Sequence, residues 1–347
     1  MVSWTIENTY DYKFEEAVRT TDKLNAAYPD EPVGYLYKCG VIWKMLEEDC
    51  AGPTDSAYSE IKHLIDSACG LSKTYVGKNP SDVMGLFYYA GGLVYRARYG
   101  AIKHDWFSVM SDGVKSRKLL QKILELDPNF YDAYSGIGAF NYYASNIPWY
   151  LKPIAYVLGV SGNGAEGLAQ LRKAAEYGKY SKTEAAEFLA TVVYVNEDDY
   201  SGAKEIMRML HDEYPLNLDF TRSLCWDLYK LHDYAPIIGY ADSALSVYAS
   251  NDGCHGRNIG YLLFLRANAL SDLNRDYAEA LNDYTKMIGI AVPKFLVRWS
   301  YLGRGELFLK LNRVADAISD FETAANINGD SYTYVRARTA LDTLRRK

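Results

Sequence analysis

Gly162-Asn163-Gly164-Ala165-Glu166-Gly167 has the GxGxxG spacing of a dinucleotide site. That chemistry needs a parallel strand before the glycines and a βαβ unit around them, so that a pyrophosphate meets the N-terminus of the following helix. Ile154 to Val160 stands where the strand would be, but both flanks carry helical periodicity. The glycines are therefore expected to close an inserted loop, with Ser161 or Asn163 capping the next helix, and no cofactor is expected. The histidines His63, His104, His211, His232 and His255 form neither an HExxH pair nor a metal-spaced set with cysteine. Three of them precede aspartate (His104-Asp105, His211-Asp212, His232-Asp233), but neighbours in sequence point to different helix faces, so solvated helix ends are expected.

Cys39, Cys50, Cys69, Cys225 and Cys254 are odd in number and irregular in spacing, with no CxxC. Separate thiols are expected, neither a disulfide framework nor a zinc site. Cys254-His255 lies in the Gly-rich turn 251–256, where a loop cysteine is the simpler reading and a reactive thiol the other. GxSxG, Walker and calcium-loop patterns are absent from the sequence, so no catalytic constellation emerges and a non-enzymatic protein is expected.

The 347 residues that position these groups are 49% hydrophobic and 24% charged, which indicates a folded chain rather than long disorder. A formal net charge of -6 speaks against a nucleic-acid partner, which usually meets a basic stripe. The longest like-charge block is Arg345-Arg346-Lys347, read as a frayed helix end. The 32 tyrosines against 11 phenylalanines suit half-buried seams and recognition surfaces, because the ring is apolar and its tip polar. The uncharged run from Ala133 to Leu151 is too polar for a transmembrane helix. Met1-Val2-Ser3-Trp4 enters helix-like sequence directly. A trimmed chain would begin the same way, so a periplasmic home is expected if the N-terminus has been trimmed, with the cytoplasm as alternative.

Internal repetition decides the architecture. Gly305 is followed by Ala317, Phe321 and Ala324, a small–small–aromatic–small spacing characteristic of tetratricopeptide repeats. The frame recurs at Ala17/Thr21/Leu24/Pro29, at Ser116/Leu120/Ile123/Pro128 and at Ala203/Met207/Leu210/Pro215. It recurs again at Gly138 with Gly167/Leu171/Ala174, and at Ala267 with Ala280/Tyr284/Met287. Weaker copies run through Cys39/Ile61/Leu64 and Cys225/Ala241/Ala244. The expected fold is an all-α tetratricopeptide-repeat solenoid over 1–347, of about eight helix pairs with a C-terminal capping helix near Tyr332 to Leu344. Three segments break the period: Glu47 to Ser56 with Gly52-Pro53, Gly100 to Asp112, and the inserted apolar segment 142–163.

Asn129-Phe130-Tyr131-Asp132-Ala133-Tyr134-Ser135-Gly136-Ile137-Gly138, the Pro148-Trp149-Tyr150-Leu151-Lys152 insertion and Gly159-Val160-Ser161-Gly162-Asn163-Gly164 resemble one divergent tetratricopeptide group. Its eukaryotic members are tetratricopeptide repeat protein thirty-nine and the fungal inclusion-body clearance protein, and its bacterial members include many that look exported. Over roughly residues 80 to 215 the resemblance implies a helical, non-enzymatic scaffold, bacterial in origin, and brings no catalytic residues.

Threading the frame places groove-facing positions on the first helix of each pair. These are Leu36, Trp43, Tyr88, Tyr95, Ser135, Tyr142, Phe188 and Val192, then Arg222, Trp226, Tyr229, Phe264, Asn268, Trp299, Leu302 and Glu306. A clamp for a terminal carboxylate would need Lys or Arg and Asn at fixed places, and Arg222 and Asn268 fall in different repeats. The groove is expected to receive a protein or peptide partner by apolar complementarity. The alternative is a carrier that encloses an apolar small molecule or lipid between groove and insertion. Ile147 to Leu158 is expected to fold onto the groove at Tyr95, Tyr142 and Phe188, because so many apolar side chains must be buried.

Overall fold

The computed structural model describes residues 1–51, 54–248, 254–290, 293–327 and 331–345. Gly52-Pro53, residues 251–253 of the Gly-rich turn, and Arg346-Lys347 lie outside the described residues. Helices succeed one another in pairs: α1 (Val2–Tyr10) with α2 (Phe14–Ala27), α3 (Val33–Glu47) with α4 (Thr54–Lys78), and α5 (Val83–Ile102) with α6 (Trp106–Leu126). In the fourth pair, α7 (Ala133–Ser145) is separated from α9 (Gly164–Tyr177) by a 3-10 turn (Trp149–Leu151) and the short α8 (Lys152–Val157). The fifth joins α10 (Lys182–Phe188), continued by a π-helical turn (Leu189–Tyr194), to α11 (Tyr200–Glu213). Then come α12 (Leu218–Lys230) with α13 (Ala235–Val247), α14 (Gly256–Asp272) with α15 (Tyr277–Gly289), and α16 (Lys294–Lys310) with α17 (Val314–Asn326). A solitary α18 (Ser331–Arg345) follows. Among the described residues there is no strand, and the chain is an all-α tetratricopeptide-repeat solenoid fold.

Local chemistry sets these boundaries. Asp82, Asp105, Asn163, Asn217 and Asp276 each accept a hydrogen bond at a helix start, from Gly85, Ser108, Glu166, Phe220 and Glu279 backbone N–H respectively. The glycine-rich GxGxxG segment is thus the N-cap of α9, and the flanks are helical, as expected. The turn inside most pairs holds a non-glycine residue in the left-handed region: Tyr12, Asp49, His104, Asp198, His232, Asn274 and Asn312, all with φ between 51° and 61°. In six of them the next residue donates its N–H to a carbonyl five positions back, as in Asp105 to Gly100 (2.9 Å) and Arg313 to Phe308 (2.8 Å). That bond satisfies a carbonyl orphaned by the helix end and offsets part of the left-handed strain.

The seams are built from small residues. Ala17, Ala203, Ala241, Ala280 and Ala317 are all completely buried. A Cβ at Gly138 would stand 2.8 Å from the Gly167 carbonyl oxygen, and one at Gly305 would stand 2.7 Å from Cε1 of Phe321. Both glycines therefore mark close helix contacts, where the repeat frame put them.

The chain divides into two compact units, Met1–Glu47 with Ala51–Ile206, and Glu48–Cys50 with Met207–Lys347. The first is centred on Leu86, Ala90, Leu120, Ile123, Ala133 and Ile137, and around Cys39, Ile61 and Leu64. The second is centred on Leu263, Met287 and Leu296, and around Ala317, Phe321 and Leu341. Repeated Arg–Asp forks tie partner helices: Arg96 to Asp112, Arg266 to Asp283, and Arg304 to Asp320.

The insertion departs from expectation. Leu151 and Ala155 are buried against Met110 of α6, with Trp106, Ile147, Ile154, Leu158 and Val160 around them. None of these is Tyr95, Tyr142 or Phe188, so the segment is no plug for the groove. Arg117 Nη1 holds the Ser161 carbonyl at 3.1 Å and helps keep the segment on α6. The physical reason is reach: Pro148 and Pro153 bend the chain into a short turn and helix, and α6 offers the apolar surface beside it. Trp149, Tyr150, Tyr156 and Val157 remain exposed, Tyr156 by 88%.

Candidate functional site

In the second unit, α12, α14 and α16 each carry aromatic residues at helical spacing. Trp226 and Trp299 stack with ring centroids 6.3 Å apart and planes 11° from parallel. Phe264 stands 5.7 Å from Trp299, and Tyr229 stands 6.2 Å from Trp226. Four of the expected groove residues are thereby one continuous surface, with Phe264 and Leu302 buried and Trp226, Tyr229 and Trp299 half-buried. Offset and edge-on rings of this kind contribute beyond their burial.

Sequence reasoning missed Tyr261, 6.4 Å from Trp226, and Phe295, 5.4 Å from Trp299. Both lie one helical turn before a predicted position, Phe264 and Trp299, so i, i+3 and i, i+4 spacing carried the signal.

The polar residues of this face are already engaged. Arg222 donates through Nη2 to Asp219 Oδ1 at 2.5 Å and to Ser223 Oγ at 3.1 Å, and its Cζ lies 5.4 Å from the Tyr261 ring centroid. Burial works against the Arg222 charge, and Asp219 more than restores it. Asn268 Nδ2 donates back to the Phe264 carbonyl of its own helix at 2.7 Å. Arg222 and Asn268 are therefore not disposed as a carboxylate clamp. Asp227, behind the face, is pushed up to about 7 by burial, with Arg222 pulling the other way.

In the first unit, Trp43 and Tyr95 meet at 6.0 Å, and the Arg98 guanidinium lies over both, 5.6 and 5.8 Å from their centroids. Tyr142 meets Phe188 edge-on at 6.3 Å, and Tyr143 meets Phe188 at 5.3 Å. Tyr88 instead faces Tyr37 at 6.5 Å, and burial pushes its hydroxyl up to about 12. Trp43 and Tyr142 are buried, so this part of the expected groove is partly core.

An ionic set that the sequence did not announce borders these rings. Lys44 Nζ lies 3.1 Å from Glu187 Oε1 and 3.7 Å from Glu47 Oε2, and Arg98 Nη1 lies 3.4 Å from Glu184 Oε1. Lys44 and Glu187 are 143 positions apart, and no local pattern links them. Burial, with Glu187 and Glu184 adding to it, drives the Tyr10 hydroxyl well up.

A separate cleft of about 450 Å³ in the first unit is lined by Lys62, Asp66, Arg96, Lys103, Asp105 and Asp112 among others, and shares none of the aromatic positions. Its charges are largely paired internally, Lys62 with Asp66 at 2.7 Å and Arg96 with Asp112 at 2.5 Å. Among the described residues no group of three or more His, Cys, Asp or Glu side chains is placed to hold a metal ion. No helix among them is long and apolar enough to cross a membrane. His63, His104 and His232 are exposed, whereas His211, expected like His104 and His232 to be a solvated helix end, is half-buried with Nδ1 3.0 Å from Thr221 Oγ1, and His255 of the Gly-rich turn is 6% exposed and held by Glu48.

No protein-family model and no curated protein matches the chain. Solved structures with a similar arrangement include yeast Tom70, at 13% identity and a TM-score of 0.44, covering 97% of this chain and 86% of that one. A human IFIT1 dimer with m7Gppp-AAAA is similar at 15% identity and a TM-score of 0.47, covering 100% and 83%. YrrB, described as a TPR protein with an unusual peptide-binding site, is similar at 14% identity and a TM-score of 0.37, covering 77% and 97%.

Proposed function

We propose that the protein is a non-enzymatic interaction scaffold, and that the aromatic face of α12, α14 and α16 receives an apolar peptide or helix from a protein partner. The observation that carries this reading is the half-buried Trp226–Trp299 stack with Phe264 and Tyr261 beside it. Rings that stay half-exposed after the core is complete retain apolar area for a ligand to cover, and aromatic anchors dominate binding energy at interfaces. In the first unit only Tyr88, Tyr95 and Phe188 of the expected aromatic groove positions stay half-buried, whereas Trp43 and Tyr142 belong to the core, so that unit offers less ring area to a partner. The carrier reading loses its lid, because the insertion is spent on α6. Membership of the divergent group that the 129–138 and 159–164 segments resemble is part of the same proposal.

Selection of a displayed peptide library on the full chain tests it. Sequences rich in Leu, Phe and Trp should be enriched, and Trp226→Ala with Trp299→Ala should weaken the best binder at least tenfold. Equal binding by that double variant would place the site elsewhere. Native mass spectrometry showing a tightly held small apolar ligand would favour the carrier instead.

A further inference from the structure

Three of the five cysteines are ordinary core thiols: Cys39, Cys69 and Cys225 are 1%, 6% and 0% exposed. The other two are different. Cys50 and Cys254 are half-buried, belong to the same unit, and hydrogen-bond to one another through their side chains.

A histidine and a buried carboxylate stand beside this pair. His255 Nε2 lies 3.7 Å from Cys50 Sγ, across 205 positions of sequence. The other ring nitrogen, Nδ1, lies 3.2 Å from Glu48 Oε2. Glu48 is itself fixed: Asn258 Nδ2 donates to the same Oε2 at 2.8 Å, and the Glu48 carbonyl accepts the His255 backbone N–H at 2.9 Å. Glu48 is 2% exposed and His255 6%. His255 takes φ 62° at the start of α14, the left-handed conformation that His104 and His232 also adopt in their turns. Cys50 Sγ is also 4.0 Å from Nδ1, so the sulfur stands beside the imidazole ring, and a small rotation of the thiol would bring it onto Nε2, the nitrogen that Glu48 does not hold.

We propose that Cys50 and Cys254 are a redox pair that closes to a disulfide by exchange with a low-molecular-weight disulfide, with His255 accepting the Cys50 proton and Glu48 as its positioning residue. The order of attack follows from the surroundings. Burial, together with the contact to Cys254 and the nearby Glu48 charge, holds the Cys50 proton tightly. Cys254 therefore meets the incoming disulfide RS–SR first: its S–H proton leaves, its sulfur bonds to one sulfur of RS–SR, and one RSH departs. Cys50 then passes its proton to His255 Nε2 and attacks the Cys254 sulfur of the mixed disulfide. The second RSH leaves with a proton, the Cys50–Cys254 bond remains, and the two electrons lost by the thiols have reduced RS–SR to two RSH. Glu48 stabilises the imidazolium while it exists. The thiols already within hydrogen-bonding reach need side-chain rotation for this, which disulfide geometry tolerates far better than backbone movement. The pair would stay reduced in a glutathione-buffered cytoplasm and closed in an oxidising compartment.

The experiment uses the full chain and oxidised glutathione as the probe. After incubation at neutral pH, intact mass should show loss of two hydrogens with no retained glutathione, and peptide mapping should join Cys50 to Cys254. Cys50→Ser should trap a glutathione adduct on Cys254, because the resolving thiol is gone; a Cys50→Ala variant serves if the serine chain folds poorly. His255→Asn keeps a side chain that accepts positive φ and should reach the same disulfide at least about tenfold more slowly. Both thiols of the parent remaining alkylatable in excess oxidised glutathione would overturn the pair, as would a cross-link elsewhere. A His255→Asn rate equal to the parent's would overturn the role of His255 as base.

Discussion

Replacing Gly138 with alanine puts a methyl group into the crossing of α7 and α9. Its Cβ would stand 2.8 Å from the Gly167 carbonyl oxygen, 2.8 Å from Leu171 Cγ and 2.9 Å from Leu171 N. Comfortable carbon contacts are about 3.5–4.0 Å, so the two helices must part by roughly 0.6 Å or more. Two of the three obstacles are backbone and cannot rotate away. Adding a methyl to such a seam costs about 1–3 kcal/mol, and the helix propensity of alanine over glycine returns up to about 1 kcal/mol. The crossing is tight from the other side as well, since a Cβ at Gly167 would meet the Gly138 oxygen at 2.7 Å. The upper part of the range applies, and Gly138→Ala should lose about 1–2 kcal/mol net. Gly70 in α4 is the control: a Cβ there meets nothing within 4 Å. The same substitution at Gly70 should gain about 0.5–1 kcal/mol from propensity alone. Urea denaturation followed by circular dichroism reads both, and opposite shifts in midpoint at unchanged slope are expected. If Gly138→Ala is as stable as the parent, or both variants move the same way, the packing argument at this seam is wrong.

Other perturbations are as direct. Asp227 is 3% exposed and its carboxyl is raised to about 7 against an ordinary 3.8, so the folded chain holds a proton that the unfolded chain releases first. Its contribution should therefore turn destabilising as pH rises from about 4 to 7 and level off above, and Asp227→Asn should be more stable than the parent at pH 8, by up to about 4 kcal/mol, but not at pH 4, by denaturation midpoint. Arg266→Ala leaves Asp283, whose side chain is completely buried, without its fork and should cost about 3–5 kcal/mol near neutral pH. Burial already raises the Asp283 carboxyl, so that deficit should shrink on acidification, and a pH-independent loss would contradict it. In the insertion, Leu151→Ala should speed hydrogen exchange across 149–158, whereas Trp149→Ser, at a side chain 80% exposed, should leave it unchanged.

The local layer of this protein was legible in its residues. The small–small–aromatic spacing located Gly138, Ala203, Gly305 and Ala317 at helix contacts, because a helix returns the same face every three or four residues and a close crossing excludes side chains there. The helical flanks of the GxGxxG segment were legible, with Ser161 or Asn163 as the cap of the helix after it, and the structure gives the cap to Asn163. Threading brought Trp226, Tyr229, Phe264 and Trp299 to one face, and the same spacing applied once more would have added Tyr261 and Phe295.

The rest depended on where distant segments came to lie. The insertion had enough apolar side chains to demand burial, but hydrophobicity has no direction, and the position of Met110 on α6 decided which surface it covered. Lys44 finds Glu187 across 143 positions, and Cys50 finds His255 across 205. Helical periodicity carries information over a few turns, whereas such pairings arise only when packing within a unit brings distant helices or loops together. Sequence alone therefore determined the repeat, its seams and its aromatic faces, while tertiary structure alone decided which charges, thiols and exposed rings became neighbours.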